Sequence, residues 1–402
     1  MRASLSLALA LAVLALPTAA EDWPQWRGPH RDGLATGFPE PKTWPEKLAL
    51  KWKVTVGEGH SSPVVAGGKI YIHTRQGEDE VVTAVRAEDG KTVWRQSYPA
   101  PYTMNPAATT HGKGVKSTPL VEDGRVFTFG INGTLSAFDA QTGKPQWRKE
   151  FGSPDFGVAA SPMADHGLLI VHVGGNSQGA LTAFDPATGA EKWSWKGEGP
   201  AYASPIVVDL GGTRQVVTQS RDHIVGVSAG TGDLLWRIPF TTAYEQNIVT
   251  PVLYRDTLIF SGTGNPIMGV KVLKQGSEWT TETVWKNKDF SLYMSSPVIS
   301  GDLLYGFTER KRGQFFCLKP ADGTTVWTSD GRQGDNAAIV AAGSVLLLLT
   351  SDASLTVARQ NDKSFEPLRK YNVADSPTWA HPVVIDRGIL IKDDKTLALW
   401  EP

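Results

Sequence analysis

An eleven-residue motif repeats along this 402-residue chain and limits the folds open to it. Ala137-Phe138-Asp139-Ala140-Gln141-Thr142-Gly143-Lys144-Pro145-Gln146-Trp147 returns as Ala183-Phe184-Asp185-Pro186-Ala187-Thr188-Gly189-Ala190-Glu191-Lys192-Trp193, and weaker copies cover 84–94, 226–236 and 317–327. A period in the forties is the length of one four-stranded propeller blade, which becomes stable only when its neighbours stack on it. A second landmark runs out of phase with the first. Ser62-Pro63, Thr118-Pro119, Ser161-Pro162, Ser204-Pro205, Thr250-Pro251 and Ser296-Pro297 each open an apolar run; His381-Pro382 follows after two periods, the missing step falling near Ala337-Ala338. Eight openings predict eight blades.

Within one unit the strands are legible. Residues 161–163 start a short strand, His166-Gly167 turns, 168–173 are rich in β-formers, and 180–185 alternate. Thr188-Gly189 is a turn, and 192–195 close the unit. The fold class expected is all-β, an eight-bladed β-propeller of four-stranded antiparallel blades. After His381-Pro382 only three strands' worth of sequence remain, and Leu50-Lys51-Trp52-Lys53-Val54 resembles the missing fourth. Pairing it into the last blade removes an open edge and closes the ring. The seventh blade, 336–371, lacks both the Thr-Gly turn and the terminal Trp, yet the spacing requires a blade there.

Three segments are expected: a signal peptide over 1–20, an N-terminal segment over 21–47 packing on the propeller, and a single propeller over 48–402. The first has one Arg, an apolar stretch over 5–16 and a small-residue site at Thr18-Ala19-Ala20. It predicts a periplasmic or secreted protein. No Cys follows it, so no lipid anchor is expected, nor any transmembrane segment. The one cysteine, Cys317, cannot form an intramolecular disulfide and is expected to be a buried thiol. Forty Lys and Arg against 41 Asp and Glu leave no basic field to recruit nucleic acid. Trp94, Trp147, Trp193, Trp236, Trp285 and Trp327 recur at one blade position, which marks packing rather than ligand stacking. Asp139 and Asp185 are placed to cap the Thr-Gly turns.

The Ala-x-Asp-x-x-Thr-Gly-x-x-x-Trp motif resembles that of the PQQ-like β-propeller repeat family. The resemblance covers nearly all of 48–402. That family holds quinoprotein dehydrogenases and the propeller lipoprotein of the bacterial outer-membrane assembly machine. The opening Asp22-Trp23-Pro24-Gln25-Trp26-Arg27-Gly28-Pro29 further resembles secreted propellers named for PQQ by similarity. The resemblance implies PQQ as the one cofactor to consider. Quinoprotein alcohol dehydrogenases use adjacent cysteines, Ca²⁺ held by carboxylate and amide oxygens, and a catalytic Asp. This chain has one Cys, no haem-attachment motif and no placeable Ca²⁺ set; Asp393-Asp394 reads as a turn pair. No catalytic residue and no metal ligand are therefore assigned.

Propellers place function in loops and along the axis. The positions feeding each innermost strand are Gly59-His60, Val115-Lys116, Ala201-Tyr202, Gln246-Asn247, Tyr293-Met294, Asp335-Asn336 and Trp379. The loop over 97–116 is long, holds three prolines, and offers Tyr102, His111 and Lys116. The expected ligand site is therefore His60, Tyr102, His111, Lys116, Tyr202, Asn247, Asn336 and Trp379, suited to a small polar or anionic ligand at the channel mouth. His111-Gly112-Lys113 has no second ligand at metal spacing. Arg221-Asp222-His223 reads as an ion-paired turn, residues 309–312 as a basic patch with a claim on an acidic partner, and Gly262-Thr263-Gly264-Asn265-Pro266 as a hairpin. The expectation is a monomeric binding or scaffolding protein, with a possible protein partner. A reduced quinoprotein oxidoreductase is the alternative; a hydrolase or lyase using His111 or His381 is a third reading.

Overall fold

Proline fixes φ, lacks a backbone donor and pushes the preceding residue into extended geometry. At the six Ser/Thr-Pro dipeptides of the landmark, and at His381-Pro382, the chain accordingly enters the short first strand of a blade. The computed structural model describes residues 22–402, so the expected signal peptide over 1–20 lies outside the described residues. Eight sheets occupy them. Blade 1 runs from strand Val64–Ala66 to Thr92–Pro99, blade 2 from Leu120–Glu122 to Pro145–Glu150, blade 3 from Met163–Asp165 to Glu191–Trp195, and blade 4 from Ile206–Leu210 to Leu234–Pro239. Blade 5 runs from Val252–Tyr254 to Glu278–Asn287, and blade 6 from Val298–Ser300 to Thr325–Thr328. Blade 7 runs from Ala337–Ala342 to Pro367–Asn372, and blade 8 holds Val383–Ile385, Gly388–Lys392 and Thr396–Glu401. The protein is an eight-bladed all-β propeller with antiparallel blades, as the repeat predicts.

The Ser/Thr-Pro landmark has a structural cause. Five of the six hydroxyls accept a hydrogen bond from the backbone N–H at the same position one blade earlier, and the sixth, Thr250, accepts from the Trp26 indole instead. Ser62 N–H donates to Thr118 Oγ1 (3.2 Å), Thr118 N–H to Ser161 Oγ, Ser161 N–H to Ser204 Oγ and Thr250 N–H to Ser296 Oγ, all three at 3.0 Å. His381 N–H donates to Ser62 Oγ at 2.9 Å and carries this belt from blade 8 to blade 1. These buried amides lie where strands diverge around the axis, so a side chain must satisfy them.

The motif tryptophans join the blades farther out. Trp94, Trp147 and Trp193 donate their indole N–H to the carbonyls of Ala140, Pro186 and Ala229 in the following blade. Gly143 has φ +73°, and a Cβ there would sit 2.5 Å from the Trp94 ring. The Thr-Gly glycine is thus needed both for the turn and for the neighbour's indole. Asp139 Oδ1 accepts from Gln141 N–H, Thr142 N–H and the Thr142 hydroxyl, which caps the same turn and holds the carboxyl below its usual range. Cys317 is buried, and burial pushes its thiol up to about 12. Trp236 departs from the pattern, donating within its own blade to Gln215 Oε1.

Strand Ala49–Thr55 pairs antiparallel with Thr396–Glu401, Trp52 opposite Leu399, so the N-terminal strand completes blade 8. Trp52 donates to Ala87 O (2.9 Å) and packs over Gly90, repeating the inter-blade contact at the seam. Blade 7 is present without its motif. Tyr371 stands in for the Trp and donates to Pro45 O at 2.7 Å. A fifth strand, Leu34–Ala35, lies parallel to Ala337–Ala342.

The segment preceding the closing strand crosses one end of the channel. Trp23 bridges Val65 of blade 1, and Pro24 O accepts from Val121 N–H of blade 2. Arg31 donates to Pro162 O and Ser161 O of blade 3. The Trp26 indole donates to Thr250 Oγ1 of blade 5, and Arg27 to Pro297 O of blade 6 (2.5 Å). Trp26 also meets the His381 ring of blade 8 edge-on at 4.4 Å. Arg27 and Arg31 are 1% and 4% exposed, so this plug is part of the interior.

Candidate functional site

Because the plug closes one end, the channel is a cup with one mouth. Its volume is about 450 Å³, with Trp26, Thr250, Ser296 and His381 toward the plugged end. The long loop between blades 1 and 2 forms a 3₁₀ turn, Pro106–His111, and brings Ala107, Ala108 and His111 to the wall. Asn105 caps that turn by accepting from Ala107 N–H.

Of the eight expected residues, His60, His111, Lys116, Tyr202, Asn336 and Trp379 line the cup. Two do not. Asn247 is fully buried: its amide donates to the carbonyls of Ser220, Arg221 and Phe240, and its Oδ1 accepts from Thr242. It clamps three loop strands, and its neighbour Gln246 faces the cavity instead. Side chains alternate along extended chain, so the expectation was one residue out of phase. Tyr102 turns away into the seam with blade 2, its buried hydroxyl beside Gly157 and without a hydrogen-bond partner.

The tertiary structure also assembles what spacing hid. His60 and His111, from separate loops, lie 5.8 Å apart between ring centroids, and Trp379 packs on both, at 5.5 and 4.8 Å. Neither imidazole has a ring hydrogen bond among the described residues. His111 thus has a second histidine beside it, but no third ligand-type side chain completes a metal set among the described residues. Trp26, Phe156 and Tyr293 add aromatic wall. The signal for Trp26 was its place in Trp23-Pro24-Gln25-Trp26-Arg27, which only the plug explains.

Among the described residues no acidic side chain lines the cup. Burial, together with the charges of His111, Lys116 and Lys392, pushes His60 down to about 3. Burial and Arg27 push His381 down to about 3, and burial alone takes Lys116 down to about 8. Below the floor, burial lowers Arg27 to about 10, and burial with Arg27 lowers Arg31 to about 9. All five shifts run the same way because burial disfavours the charged form; neighbouring cations add to it at His60, His381 and Arg31, and Asp32 opposes it at Arg27. Burial lowers Lys392 to about 8 as well, but its ammonium donates to Gly59 O, Asp393 O and Asp394 O, which uses all three donors in fixing blade 8 to blade 1.

The remaining candidates are structural. His223 pairs with Glu198, which also accepts from Ser220 and from Asp222 N–H, while Arg221 pairs with Glu245. Glu198 stands between the serine and the histidine, so no nucleophile–base contact forms. Arg310 donates to Asp289 O and Glu309 accepts from Ser291, so the basic patch is partly engaged with the segment leading into blade 6.

Fold and cup together define an eight-bladed repeat propeller with a one-ended axial cavity. The family model described as "Outer membrane protein assembly factor BamB", a PQQ-like repeat family, matches residues 45–110 and 78–329, and the chain belongs to that family. It is 26% identical over 264 residues to the outer membrane protein assembly factor BamB of Yersinia pestis, covering 63% of this chain and 61% of that protein. It is 24% identical over 434 residues to methanol dehydrogenase [cytochrome c] subunit 1 of Paracoccus denitrificans, covering 97% of this chain and 62% of that protein. The aligned regions thus span less than two thirds of either relative. The crystal structure of quinohemoprotein alcohol dehydrogenase from Comamonas testosteroni superimposes with a TM-score of 0.68 at 15% identity, covering 97% of this chain and 81% of that one. This last likeness is one of fold. Among the described residues no helix is long and apolar enough to cross a membrane.

Proposed function

We propose that this protein is a non-catalytic binding propeller, periplasmic or secreted, whose axial cup takes a small anionic molecule. The observation that carries the reading is the donor set: the Lys116 amine faces the cavity, the imidazoles of His60, His111 and His381, all lowered by burial, border it as uncharged ring donors, and no carboxylate among the described residues lines it. An anion with a flat or apolar body would supply the missing charge and pack on Trp379, Trp26 and Tyr202. The donor set does not fit a calcium–quinone centre. A hard cation needs anionic oxygen ligands, which the wall lacks, and the one cysteine is buried in blade 6. No step is assigned to that cofactor. A protein partner, of the kind implied by the assembly-factor name of one relative, would dock on the rim.

Calorimetric titration with oxalate, malonate and phosphate, against neutral amides of similar size, tests the reading. Binding of at least one anion and no amide is expected. Lys116→Ala should lose about 1.5–3 kcal/mol of affinity, the worth of a hydrogen bond to a charged group, or roughly ten- to hundredfold. No anion binding by the parent, or equal binding by Lys116→Ala and Trp379→Ala, overturns it. The oxidoreductase reading is favoured by the fold alignment over 97% of the chain. Quinone reduction on adding PQQ, Ca²⁺ and an alcohol would establish it instead.

A further inference from the structure

We propose that the cup captures a small oxo acid, an aldehyde or ketone bearing a carboxylate, as a reversible imine on Nζ of Lys116. This rests on the anion-binding reading and deepens it.

The contrast with Lys392 carries the inference. Lys392 spends its three donors on three carbonyls and is 1% exposed, so its amine is sealed. Lys116 lies on the wall of the cavity and makes one hydrogen bond among the described residues, to Phe156 O at 2.8 Å. It has no carboxylate partner, so nothing holds it permanently as an ion pair. Burial lowers it to about 8, which leaves a useful share as free amine near neutral pH. The protonated share can hold an anion, and the free share is a good nucleophile toward a carbonyl.

The surroundings supply the rest. His60 and His111 both border Lys116 and carry ring nitrogens without hydrogen-bond partners. In the first step the Lys116 nitrogen lone pair forms a bond to the carbonyl carbon. The C=O π pair moves to oxygen, which takes a proton, and nitrogen gives one up. In the second step the resulting hydroxyl gains a proton and leaves as water, the nitrogen lone pair forms the C=N bond, and the nitrogen gives up its remaining proton. The balance is amine plus carbonyl to imine plus water, with no redox partner. An imidazole able to hold and return one proton serves both transfers. The ligand's carboxylate meets a wall on which no described residue places a carboxylate, and about 450 Å³ accommodates a small oxo acid.

The test uses the whole protein with glyoxylate and sodium cyanoborohydride at neutral pH, read by intact mass and peptide mapping. Lys116 should gain one carboxymethyl group on the order of tenfold or more faster than any other lysine, as its lowered pKa implies. Lys116→Arg keeps the charge and loses the nucleophile. It should abolish trapping, and the anion reading is checked separately on the parent by the thermal shift given by oxalate, which has no ketone or aldehyde carbon to trap. Labelling of Lys116 at the rate of exposed lysines overturns the imine. If oxalate still binds the parent in that case, the anion cup stands and the imine alone fails. If oxalate binds nowhere, both readings fall.

Discussion

The backbone N–H of His381 donates to Ser62 Oγ at 2.9 Å across 319 residues of sequence, and this bond joins the last blade to the first. It is the closing member of the hydroxyl belt. Ser62→Ala would leave a buried amide without its acceptor, costing about 1–3 kcal/mol. Denaturant titration should show a lower midpoint with an unchanged slope. Ser344→Ala, on an exposed turn, serves as the comparison and should fall well short of that loss.

The outer half of the seam depends on Trp52. Trp52→Ala should cost about 3–5 kcal/mol, the usual range for a buried tryptophan. Deleting residues 48–56 should further expose the edge of Thr396–Glu401 and promote association. Melting curves and size-exclusion chromatography check both. A deletion variant that melts with the parent and stays monomeric would contradict closure by this strand.

Gly143 separates turn strain from packing. Gly143→Ala meets a left-handed φ and the Trp94 ring at 2.5 Å, whereas Gly124→Ala meets the same φ region with open space around it. The left-handed backbone alone costs about 1–2 kcal/mol. The overpacked site should add about 1–3 kcal/mol. Equal melting temperatures for the two variants would deny the blade-to-blade role of the indole.

Acid should destabilise the ring through its buried imidazoles. Burial takes His60 and His381 down to about 3 and His172 down to about 4, below the ordinary histidine value. Between roughly pH 6.5 and those values the unfolded chain binds protons that the folded one refuses, so stability falls as pH falls through that window. Glu80 and Glu198, held low by hydrogen bonds and by His73 and His223, act in the same direction near and below the usual carboxylate range. A melting temperature that is flat from pH 7 to 4 would refute this. His172→Gln should reduce the slope above pH 4.

The repeat, the strand order, the closing strand and the blade at 336–371 were legible in the sequence because each follows from local patterning. Alternation marks strands, glycine marks turns, and a tryptophan at fixed phase marks a blade-to-blade contact. The Ser/Thr-Pro steps were visible too, although their reason, a hydroxyl serving the preceding blade, needed the ring to appear. Five of the cup residues, His60, Lys116, Tyr202, Asn336 and Trp379, follow from that phase and His111 from the long loop, whereas Asn247 does not line it because alternation shifts its side chain by one, and Tyr102 turns away. The cup itself was decided by tertiary structure. Only the closed ring brings His60, His111 and Trp379 together and sends Trp26, Arg27 and Arg31 across the channel. These contacts join loops and a plug separated by tens to hundreds of residues, and their energies come from burial and charge crowding around an axis that no local stretch contains.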